Sequence, residues 1–147
     1  MEWERLKNNY TVATVNAGEP IEDAMVELCT HILEVIIPEN RNVSWDYLRV
    51  ELWPDSGRII VFPSSLSNPN RIEDSGCQIV FDNLLEEYDR LAESGLDDDV
   101  FDAKILELEQ RWVNILSKIV TKLGLAKYRI QFWDPDDQLL ELQNEVD

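Results

Sequence analysis

From Pro20 onward, Ile21, Ala24, Met25, Leu28, Ile32, Val35 and Ile36 recur at three- and four-residue spacings, the period of one apolar helix stripe. Proline suits a first turn, where its missing N–H would find no intrahelical acceptor. The pattern predicts one amphipathic helix that ends before Pro38. The period then changes. Within residues 43–53, Leu48, Val50 and Leu52 alternate with Arg49 and Glu51, as a half-buried strand requires, and the apolar face switches near Tyr47, which leaves room for a bulge. Pro54-Asp55-Ser56-Gly57 offers a preset φ and a glycine free to take positive φ, and Ile59-Ile60-Val61-Phe62 follows. This predicts a hairpin.

Residues 63–71, rich in Ser, Asn and Pro, read as a surface loop, and residues 77–81 as a third strand. Leu84, Leu85, Tyr88 and Leu91 predict a short helix closing near Ser94-Gly95. A longer helix opens at Asp97-Asp98-Asp99, whose carboxylates suit the free N–H groups and positive dipole end of a helix, and stops at Gly124. Between them Phe101, Ile105, Leu108, Trp112, Ile115, Ile119 and Leu123 advance by three or four residues without a break. Tyr128, Ile130 and Phe132 alternate with Lys127, Arg129 and Gln131 as a strand that Asp134-Pro135-Asp136-Asp137 ends, and Leu139, Leu140 and Leu142 predict one more helical stretch.

Residues 1–19, with a β-prone run at Thr11-Val12-Ala13-Thr14-Val15, read as an N-terminal arm before a folded core at 20–137 and a tail at 138–147. The order of elements implies an α+β fold: a single domain with an antiparallel sheet of three to five strands and amphipathic helices packed on one face. A chain of 147 residues suffices for one core, and 44% apolar residues with five tryptophans are far from the composition of a disordered acidic tail.

Charge changes the picture more than composition does. Thirty acidic against thirteen basic residues leave a formal charge of −17, which repels nucleic-acid phosphates and anionic lipid and attracts basic protein surfaces. The excess is concentrated. Residues 82–109 hold eleven acids against Arg90 and Lys104, a local charge of −9, whereas Lys118, Lys122, Lys127 and Arg129 make the next segment basic. Solubility alone would be served by an even spread, and crowding like charges costs stability. Glu86, Asp89, Glu93, Asp97, Asp98, Asp99 and Asp102 are therefore the candidate contacts to a basic partner, with Tyr88 and Phe101 as candidate anchors.

Catalytic chemistry finds little support. Nucleophilic triads need a base, usually histidine; His31 is the only one and lies beside the apolar stripe of the first helix, a structural position. Cys29 and His31, two apart on a helix, face different ways, so a zinc site with Cys77 is not expected; both cysteines sit in apolar runs and read as buried free thiols. Neither GxGxxG nor a GKS or GKT loop is present. The two Asp clusters lack EF-hand spacing and are explained by a helix start and a strand stop. The expectation is a non-enzyme with no metal and no cofactor. Residues 1–5 carry no signal-peptide pattern and no window is apolar enough for a membrane span, so a cytoplasmic protein with no membrane partner is expected. Nothing in the pattern fixes the oligomeric state.

An opening helix running into Ile37-Pro38-Glu39, a hairpin over residues 48–62, acidic helices, then Trp112, Gly124, Lys127-Tyr128-Arg129-Ile130-Gln131-Phe132 and Asp136-Asp137 together resemble the YezG-like immunity proteins across about residues 21–137. These are cytoplasmic antitoxins that neutralise secreted bacterial toxins, many of them nucleases. The long N-terminal arm and the Ser/Asn-rich stretch at 64–70 depart from that pattern. The resemblance implies an acidic face that masks the basic surface of a toxin, and brings no catalytic residues with it. The competing expectation is a secretion chaperone that holds an effector as a homodimer across an exposed apolar groove.

Overall fold

A computed structural model describes residues 1–6, 10–65 and 75–140. Strands β1 (Glu4–Arg5), β2 (Thr11–Val15), β3 (Tyr47–Trp53), β4 (Arg58–Ser64), β5 (Cys77–Phe81) and β6 (Ile130–Trp133) form one sheet in the order β1-β2-β5-β4-β3-β6. Helices α1 (Ile21–His31), α2 (Asp82–Ala92) and α3 (Asp98–Lys122) complete an α+β fold. Ala13, Val15, Leu48, Val50, Leu52, Ile59, Val61, Cys77, Ile79, Phe81 and Phe132 share one apolar cluster with Met25 and Leu28 of α1, Leu84 of α2, and Leu108, Trp112 and Leu116 of α3.

Among the described residues the sheet has six strands and is mixed, which corrects the expectation of three to five antiparallel strands. β3, β4 and β5 follow one another as antiparallel neighbours, so β3 and β5 point the same way. The chain enters β3 from β2 through α1 and leaves β5 for β6 through α2 and α3. A helical crossover returns the chain in its original direction, so β2 pairs with β5 in parallel and β6 with β3 in parallel. The expected N-terminal arm thus contributes two strands, β1 antiparallel to β2.

The first helix does not stop before Pro38. Residues Ile32–Ile36 switch to a π-helical turn, in which Ile37 N–H bonds to Ile32 O, and a last turn runs through Ile37–Glu39. Proline cannot donate to the carbonyl four residues back, and the wider turn absorbs that break. Asn40 then closes the helix: its side-chain amide donates to Ile36 O at 2.8 Å and to Ser75 O at 3.0 Å.

The hairpin forms as expected, with Gly57 at φ 68° after a 3-10 turn at Pro54–Ser56. A Cβ at Gly57 would lie 2.8 Å from Phe81 O, so both the turn and its contact with β5 require glycine. The register runs unbroken from Tyr47↔Ser64 to Trp53↔Arg58, so β3 has no bulge at Tyr47. β4 also takes in Pro63, which had been assigned to the following loop. Leu48 N–H bonds to Arg129 O on the far side, so the Leu48–Pro63 pair exchanges no bonds, and the donor Pro63 lacks faces beyond the end of β5 pairing at Val61↔Cys77. The rest of that loop, residues 66–71, and Leu142 lie outside the described residues.

Two further expectations are revised. β3 is buried on both faces: Arg49 and Glu51, read as its solvent side, are 8% and 4% exposed. Their charges meet each other, with Arg49 Nε donating to Glu51 Oε2 at 2.7 Å, and the guanidinium lies 4.4 Å over the Trp133 ring. Residues 138–140, after β6, are extended and not helical. Asp134 Oδ1 accepts from Asp136 N and Gln138 N, both at 2.9 Å, and this turn brings Leu139 antiparallel to Trp133 and Leu140 N–H onto Phe132 O.

Candidate functional site

The acidic stretch folds into α2 and the first half of α3, joined through Gly95 at φ 72°. Asp97 occupies the N-cap position and Asp98 and Asp99 the first turn of α3, although the Asp97 side chain makes no capping hydrogen bond; the benefit is electrostatic, from carboxylates beside the positive helix end. Glu86, Asp89, Glu93, Asp97, Asp98, Asp99 and Asp102 are all exposed. Among the described residues none of the seven takes part in an ion pair. Leu96, Val100 and Leu106 lie exposed among them.

Glu87 behaves differently from its neighbours. Its carboxylate accepts from Arg111 Nη1 at 2.8 Å and from Trp112 Nε1 at 2.9 Å, which fastens α2 to α3. Tyr88 and Phe101 meet edge to face, centroids 5.9 Å apart, so the two expected anchors pack on each other and are half-buried.

Below that aromatic pair opens a cleft of about 520 Å³. The 3-10 turn after β3 supplies Pro54 and Asp55, α2 supplies Tyr88, α3 supplies Phe101, Asp102, Ile105, Leu106 and Glu109, and the turn after β6 supplies Asp134, Pro135, Asp136 and Gln138. Among the described residues five carboxylates line it and no basic side chain does. Of the seven sequence-predicted contacts only Asp102 reaches this cleft; the other six spread over the outer face of α2 and the start of α3.

Glu109 is the residue that sequence reasoning missed. It sits on the apolar stripe of α3, four residues after Ile105 and three before Trp112, and is only 4% exposed. Among the described residues no donor or cation meets its carboxylate. Burial, followed by the negative charges of Asp134 and Asp136, pushes its pKa up to about 7. The available signal was position: a carboxylate where helical spacing calls for a hydrophobe.

His31 is structural. It is buried, shares a 2.7 Å hydrogen bond with Thr11 Oγ1, and burial lowers its pKa to about 4. Cys29 and Cys77 are buried free thiols whose pKa values are raised by burial, which keeps them protonated and poorly nucleophilic. Among the described residues no group of His, Cys, Asp and Glu is arranged to hold a metal ion, and no helix is long and apolar enough to cross a membrane. No family model, no curated protein and no solved structure matches the chain.

Proposed function

We propose that this protein is a binding module whose acidic α2–α3 face engages a basic protein, in the role of an immunity protein that neutralises a basic bacterial toxin, of which a nuclease is one class. The observation that carries the reading is the set of seven exposed carboxylates without ion-pair partners among the described residues, interleaved with exposed Leu96, Val100 and Leu106. Unpaired like charge steers a cationic surface into contact, and apolar side chains within it supply area that water leaves on binding. The Coulombic cost of crowding these acids is relieved when the partner arrives.

Co-expression with the product of the neighbouring gene tests this reading. The expected result is a complex that elutes as one species and a partner whose toxicity is abolished. A neighbour that neither binds nor loses toxicity overturns it.

A further inference from the structure

We propose that the cleft between α3, the β3–β4 turn and the turn after β6 is a socket for one arginine side chain of the protein partner, with Glu109 as its buried counter-ion. The inference rests on the protein-binding reading above and adds the chemistry of its central contact. Three observations carry it. Glu109 is 96% buried at the cleft wall with no donor facing it among the described residues, a costly placement unless a cation fills it. Among the described residues the lining carries four further carboxylates and no cation, so none of them competes for that role. Tyr88 and Phe101 form an aromatic wall over which a planar cation can lie.

Arginine fits these features better than lysine. Guanidinium is planar, binds a carboxylate through two parallel N–H bonds, stacks on aromatic faces and is less strongly hydrated than ammonium, so it enters a half-enclosed site at lower cost. A metal ion is a poorer occupant, since no metal-holding group of side chains forms among the described residues.

The test is a titration of the full isotope-labelled chain, followed by amide chemical shifts, with three probes at millimolar concentration. These are N-acetyl-arginine amide, N-acetyl-lysine amide and the uncharged isostere N-acetyl-citrulline amide. The expected result with the arginine probe is saturable shifts confined to Phe101, Ile105, Glu109 and Asp134 to Gln138. Citrulline gives none, lysine binds more weakly, and E109Q weakens arginine binding at least tenfold. D97N/D98N/D99N, outside the cleft, leaves it within twofold. Arginine shifts spread over the α2–α3 face, or equal affinity in E109Q, overturn the socket. The two readings fail separately. A complex with the neighbouring gene's product that is unaffected by E109Q removes the socket and keeps the immunity role. Specific arginine binding without such a complex does the reverse.

Discussion

Trp3 lies flat against His31, ring centroids 3.8 Å apart and planes 4° from parallel, and so clamps the N-terminal strand pair onto the end of α1. The imidazole also holds Thr11 at the start of β2, and burial keeps it neutral, with a pKa near 4 against 6.5 for a free histidine. Glu39, which favours the charged ring, and Arg5, which opposes it, act more weakly than burial. The unfolded chain therefore takes up a proton that the folded chain refuses. The stabilisation from a neutral His31 is complete above pH 6.5 and is lost as pH falls towards 4, by roughly 3 kcal/mol. The protection factors of the Thr11–Val15 amides, taken against the intrinsic exchange rate at each pH, are expected to fall over that window in the native chain. H31Q should flatten the dependence, and an unchanged slope would remove His31 as its cause.

Much of this architecture is legible in sequence, and what escapes has physical causes. The seven apolar residues from Phe101 to Leu123 predicted α3, and Pro54-Asp55-Ser56-Gly57 predicted the hairpin, because each signal lies within a few residues of the element it sets. Parallel pairing of β6 with β3 joins residues some eighty positions apart and follows from crossovers that no local window contains. Arg49 and Glu51 look like a solvent face until Trp133 and Asp137 arrive from the far end of the chain. Leu139 and Leu140 fit a helix or a return strand equally well, and the Asp134 side chain decides between them. Glu109 was hidden among eleven acids, although its place on the apolar stripe marked it.

Glu109 titrates with the opposite sign to His31. Its pKa is raised from 4.5 to about 7, so the protonated acid suits the fold and its contribution is present below pH 4.5 and lost as pH rises through 7. Asp55, Tyr88, Asp102, Asp134 and Asp136 line the cleft with it, and none of these is a basic side chain. E109Q is expected to stabilise the chain by about 1–2 kcal/mol at pH 8 and to change little at pH 4, because glutamine mimics the protonated acid. Urea unfolding at the two pH values measures this. Destabilisation at pH 8 would mean that the carboxylate has a favourable partner.

The Arg49–Glu51 pair should show strong coupling. Arg49 is held by Glu51 at 2.7 Å, by Asp137 at 2.6 Å and by the Trp133 ring, while Trp53 Nε1 donates to Glu51 at 3.2 Å. R49M removes the Arg49 charge and its hydrogen bond from the buried Glu51 and is expected to cost about 3 kcal/mol or more. The double variant R49M/E51Q removes the buried carboxylate charge as well and should recover a large part of that loss. Thermal unfolding of R49M, E51Q and R49M/E51Q forms the cycle, and additive losses would show that the two charges act independently.

Charge reversal on the acidic face separates association from folding when it is placed by helix polarity. Asp89 lies in the last turn of α2 and Glu93 at its C-cap, where the helix end is negative and a cation is favoured. D89K/E93K should therefore keep or raise stability, by about 0.3–1 kcal/mol per site. Asp98 and Asp99 occupy the first turn of α3, where the same reversal places cations against the positive end and lowers stability by a similar amount. If the exposed acids steer a basic partner, both double variants slow its association and flatten the salt dependence of the on-rate, whatever they do to the melting temperature. Stopped-flow association at two ionic strengths, set beside thermal unfolding, makes the comparison. An on-rate that follows stability and ignores charge would reduce the acidic face to a solubility device.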